Sequence, residues 1–171
     1  MWKKLTDKKA LKLITKIEEP FKQLPHLPQS LIDFFVKIAP WGVGLGAFFS
    51  LTGAINSFQF AFGMGTLSRV MHYYAGINSS YFIIMGILQL ALTVLAVKAF
   101  NPLKEKKLKG WVYLFWSNTV AIIEFVVGMI FIGGSGFGMA LFILMGFYLL
   151  FELKPAYEQK AESTKKKAVK K

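Results

Sequence analysis

Apolar positions in this chain gather into four uninterrupted runs, and polar positions collect between and around them. The runs cover residues 41–62, 79–100, 111–132 and 135–151. A helix needs about 20 apolar residues to cross the hydrocarbon of a bilayer. The first three runs have 22 residues each, and the fourth, with 17, sits at the short limit. Gly133-Gly134-Ser135-Gly136 is a tight, chargeless connection, so spans three and four form a hairpin. The pattern predicts an all-α polytopic membrane protein with four transmembrane helices in an antiparallel bundle.

Two shorter patterns precede the spans within residues 1–40. The stretch LTDKKALKLITKIEEPFKQL, residues 5–24, puts Ala10, Leu13, Ile14, Ile17 and Phe21 on one helical face. Lys8, Lys9, Lys12 and Lys16 fall on the other. Pro20 kinks or ends this helix, and LPHLP at 24–28 is a stiff connector. A second short helix is expected from Ser30 as its N-cap to Ile38. Both helices suit the membrane interface, apolar side down, with those four lysines meeting anionic headgroups.

Charge then orients the layout. Residues 1–40 carry eight lysines, residues 98–109 carry five and residues 152–171 carry seven, whereas the loop between spans one and two has only Arg69. Twenty of the 21 basic residues therefore lie on one side, which the positive-inside rule places in the cytoplasm with both termini. Trp41 and Trp111 are expected in the inner aromatic belt, and Tyr73, Tyr74 and Tyr81 near the outer surface. No cleavable signal peptide is visible, so the first span is expected to direct insertion. The tail 153–171 is basic, poor in apolar residues and expected to be disordered. Its lysines lack an aromatic or arginine-rich companion motif, which favours anionic lipid over specific nucleic acid.

Composition removes further chemistry. The chain has no cysteine and two histidines, neither inside a span, so no metal site and no cofactor are expected. The glycines of GVGLG and GGSGFG lack the strand, lysine and acidic partner of a phosphate cradle. No catalytic constellation is expected either.

One residue resists this bland picture. Residues 121–128 read AIIEFVVG, and Glu124 is the only acidic or basic side chain of span three apart from the weakly acidic phenol of Tyr113. Helices associate in lipid through small residues and polar contacts. Span one offers Gly42, Gly46, Ser50 and Gly53 on one face, and span two offers Gly86, Gln89 and Thr93. In span three Ser117, Ala121, Glu124 and Gly128 align, opposite Phe115, Ile122, Val126 and Met129. Glu124 is thus expected to look into the bundle, at the depth of Asn56 and Gln89, with Gln59 and Thr93 within one or two turns. No lysine or arginine is at hand there, so the acid is expected to stay neutral and donate a hydrogen bond.

The segments KGWVYLF at 109–115 and GFYLLFELK at 146–154 resemble a loosely defined group of small bacterial four-span membrane proteins, over residues 40–158. The resemblance implies the four-span fold and a plasma-membrane location. That group often closes span four with an acceptor such as glutamine followed by a basic residue; here Glu152 stands in that place. Small multidrug exporters also have four spans and one buried glutamate, but carry it in the first span.

Two functions follow. A neutral Glu124 serving as glue fits a non-catalytic scaffold or accessory subunit, paired with its own copies or with another membrane protein. A proton-exchanging Glu124 fits a small proton-coupled transporter or channel.

Overall fold

A computed structural model of the chain describes residues 14–63, 79–132 and 137–169. Every regular element in them is helical. A 3-10 turn at Glu19–Gln23 leads to α1 (Gln29–Ala61), α2 (Ser79–Lys104), α3 (Leu108–Ile132) and α4 (Phe137–Val169). Each of the four carries a stretch long and apolar enough to cross a membrane. Their outward faces bear large apolar side chains, among them Phe49 at 66% exposure, Ile130 at 73% and Phe142 at 77%. Such faces are stable against acyl chains rather than water. This is a multi-pass membrane protein.

The spans run as antiparallel neighbours. Gly44 meets Phe100, Gly53 meets Gln89 and Gly86 meets Phe58, so positions in α2 fall as those in α1 rise. The ring contact of Tyr81 with Phe131 and the close approach of Leu103 to Gly110 relate α2 and α3 in the same sense. Trp111 bonded to Leu150, and Phe115 packed on Phe147, do so for α3 and α4. The α1–α2 packing is the most extensive, and α1 touches α4 only lightly.

Three features depart from the sequence reading. First, the expected short helix and span one are a single helix of 33 residues. At 1.5 Å per residue α1 is about 50 Å long, well over a hydrocarbon thickness of about 30 Å, so its first turns project beyond the lysine-rich end. Pro40 lies inside it, buried, without ending it, and the residue preceding the helix is Pro28, not Ser30. Pro102 and Pro155 are likewise interior to α2 and α4. Second, Trp111 is no belt residue and Phe115 does not face lipid: they are 1% and 0% exposed. Both belong to a core at the lysine-rich end, with Leu103, Val112 and Tyr157. Its centre is aromatic, the rings of Phe21, Phe147 and Phe151 packing at tilted angles around Trp111 and Phe115. Ile14, Ile17 and Phe21 therefore pack on protein, where an interfacial helix would have turned them to lipid. Third, the backbone of α4 stays helical to Val169, through the stretch expected to be disordered. Its alanine, glutamate and lysine content favours helix once a span has already provided the nucleus.

The α2–α3 turn closes as a Schellman motif. Lys107 N–H bonds the carbonyl of Pro102 at 2.8 Å, and Lys106 N–H that of Leu103 at 2.9 Å. The motif needs a left-handed residue, normally glycine. Here Lys106 fills it, with φ of 53°.

Candidate functional site

The anticipated polar layer divides. Gln89 and Thr93 turn toward α1: the hydroxyls of Thr93 and Ser50 are 2.8 Å apart, and a Cβ on Gly53 would lie 1.8 Å from Gln89 Oε1. Gly86 similarly makes room for the Phe58 ring, 2.9 Å from where a Cβ would stand. Gly53 and Gly86 are thus close-approach positions. Gly42, Gly46 and Gly128 are not, for nothing lies within 4 Å of a Cβ built on any of them. The contact stripe of α1 instead passes through Gly44, Ser50, Ala54 and Phe58. That phase puts Asn56 and Gln59 on the exposed side of α1, away from α2.

Glu124 is half-buried, and its Oε1 is buried with no hydrogen-bond partner. Gln89 Oε1 is in the same state. The antiparallel register that joins 103 to 110 and 81 to 131 brings 89 level with 124. Tyr81 of α2 lies within electrostatic reach of the acid. Two acceptors therefore stand at one depth in adjacent helices.

A second arrangement lies at the lysine-rich end, and sequence reasoning did not anticipate it. The segment before α1 is latched to the middle of α4, where its apolar stretch gives way to charge. Lys154 Nζ bonds Glu18 at 2.6 Å, both side chains being mostly buried. Glu152, 9% exposed, accepts the Leu27 N–H at 2.9 Å and pairs with His26 Nδ1 at 2.8 Å. The Tyr148 hydroxyl donates to the Pro25 carbonyl at 2.6 Å. Tyr148 and Glu152 are one turn apart on α4, so one face of that helix holds Pro25, His26 and Leu27 of the LPHLP connector. The indole of Trp111 supports the arrangement from α3, donating to the Leu150 carbonyl at 2.6 Å beneath the Lys154 ammonium. The one hint in the sequence was Glu152, an acid where the resemblance leads one to expect glutamine.

Around the latch opens a pocket of about 980 Å³, bordered by Lys22, His26, Asp33, Lys106, Phe151 and Glu152 among others. A second, of about 520 Å³, adjoins it through Asp33, Val36 and Lys106 and adds Lys37, Trp41 and Lys104. A third, of about 420 Å³ and almost wholly apolar, lies between α1 and α4 beside Trp41. Glu124 borders none of the three. Of the lysines expected to meet lipid, Lys16 is exposed, and Lys8, Lys9 and Lys12 lie outside the described residues. Among the described residues no three His, Cys, Asp or Glu side chains gather as a metal site would require.

No protein-family model matches the chain, and no curated protein or solved structure shows significant similarity to it.

Proposed function

We propose that the chain is a plasma-membrane protein with both termini in the cytoplasm, serving as a non-catalytic scaffold or accessory subunit of a membrane assembly. The four spans form an antiparallel bundle, and the lysine asymmetry sets its direction. The latch carries the functional reading. Ion pairs, buried hydrogen bonds and pockets concentrate at one end of the spans, as a docking face requires. Glu124, in contrast, borders no pocket at that end, and its level is that of the Gln89 carbonyl oxygen. A neutral Glu124 can give its proton to such an acceptor, joining α2 to α3 for about 1 kcal/mol.

The two unpartnered oxygens also sustain the alternative, a proton-coupled transporter or channel with Glu124 as its proton site. Glu124→Gln and Glu124→Leu separate the two. As helix glue, Gln preserves assembly and melting temperature, and Leu lowers both by removing the interhelical hydrogen bond in a medium without water to replace it. A proton site is lost equally with either. A pH-driven flux in wild-type proteoliposomes that Glu124→Gln abolishes, in a protein melting normally, would refute the scaffold reading.

A further inference from the structure

Lys106 occupies a position where glycine would be free of strain, and its side chain borders both of the adjoining polar pockets. Lys22 reaches the first pocket from the latched segment, and Lys37 and Lys104 border the second. None of these four lysines takes part in an ion pair among the described residues. The acids of the same walls are engaged elsewhere: Glu18 holds Lys154, Glu152 holds His26 and the Leu27 N–H, and Asp33 accepts from Gln29 at 3.1 Å. A neutral amide leaves the charge of Asp33 in place, so the first pocket sets three carboxylates against Lys22 and Lys106, and the cationic surplus lies in the second, where Lys37, Lys104 and Lys106 face Asp33 alone. Lys104 is moreover steered by rings, its ammonium 4.7 Å from the Phe100 centroid and 5.3 Å from that of Trp41.

Trp41 is 66% exposed and marks the level at which α1 enters the apolar layer. On its far side lies the apolar groove walled by Phe35, Ile38, Leu45, Leu149 and Leu153. Cations and an acyl-sized groove thus meet at one tryptophan. A soluble anion would use only the first, and a neutral lipid only the second.

We propose that this second pocket is a binding site for an anionic phospholipid, its phosphate held by Lys106, Lys104 and Lys37 and an acyl chain passing Trp41 into the groove. It is distinct from diffuse attraction of the N-terminal lysines, because it is built from three separate parts of the chain, α1, the end of α2 and α4. It requires only that the helices span a membrane, and so holds for a scaffold or a transporter alike.

The test is native mass spectrometry of the full chain in detergent, titrated with dioleoyl phosphatidylglycerol, dioleoyl phosphatidylcholine or the chain-free headgroup glycerol phosphate. Wild type should retain the anionic lipid in preference to both other probes, saturating at a small fixed number. Lys106→Gly removes the cation while suiting the left-handed turn, so it should melt no lower than wild type yet bind about fivefold more weakly, a typical contribution of one lysine near an anionic surface. Lys106→Gln should bind as weakly, and Lys107→Gln, whose lysine pairs with Glu105 outside the pockets, should bind as wild type does. Equal retention of the two lipids, equal retention of glycerol phosphate, or equal losses in the Lys106 and Lys107 variants would overturn the site.

Discussion

Gly110→Ala adds one methyl group where α2 and α3 come closest. Its Cβ would stand 2.7 Å from the backbone nitrogen of Leu103 and 2.8 Å from the Leu103 Cγ. Leu103 is 0% exposed and sits within the Schellman turn, so neither its side chain nor its backbone has room to retreat. The helix ends must part instead, at a cost of about 1–3 kcal/mol for an overpacked core. Alanine returns up to about 1 kcal/mol through its better helix propensity. The balance is a loss of about 1–2 kcal/mol, which in a chain of this size lowers the melting temperature by about 2–8 °C. Gly42→Ala and Gly128→Ala are the controls, for nothing lies within 4 Å of their new methyl groups and only the propensity gain remains. Gly53→Ala falls between, because the atom in its way is the end of a Gln89 side chain that can rotate. Thermal unfolding of the four variants in one detergent should rank Gly42 and Gly128 at or above wild type, then Gly53, then Gly110. If Gly110→Ala melts with Gly42→Ala, the close packing at the lysine-rich end is wrong.

Glu152→Ala removes the acceptor of the Leu27 N–H together with the His26 partner, costing about 1–3 kcal/mol. Hydrogen exchange should quicken over residues 14–28 while residues 79–132 hold their protection; unchanged exchange in the segment would contradict the latch. For the orientation, reporters fused after Phe100 and at Lys171 should read cytoplasmic, and one inserted near Gly76 external. An external C-terminus would reverse the lysine argument.

Hydropathy made the four spans legible because it reports the medium that each residue needs. It does not report the neighbour. Trp111 reads alike whether its ring faces lipid headgroups or Phe151, and only the approach of Leu150 and Phe151 from α4 decides for the core. The small-residue stripe of α1 meets α2 at Ser50 and Gly53 but not at Gly42 and Gly46, for a related reason. Glycines stand at 42, 44 and 46, and successive positions turn by about 100° around a helix, so composition alone fits either phase. The bulk of Phe100, opposite Gly44, selects one. Asn56 and Gln59 then leave the interior with the rejected phase. The Glu18–Lys154 and Glu152–His26 pairings were hidden because charges at span ends read as solvated until the chain folds back on itself.

That folding back sets an order of events during synthesis. Glu18 and Lys154 are 136 positions apart, and Leu27 and Glu152 are 125 apart. Domains are made from the N-terminus onward, so the first segment emerges long before its partners on α4 exist. Through that interval Ile14, Ile17 and Phe21 need another apolar surface, and the basic helical face beside them suits the bilayer. The same stripe of residues therefore has no protein surface to cover until the fourth span has been made. Closure of the latch is possible only once α4 has been made, so it is among the last contacts of the fold to form.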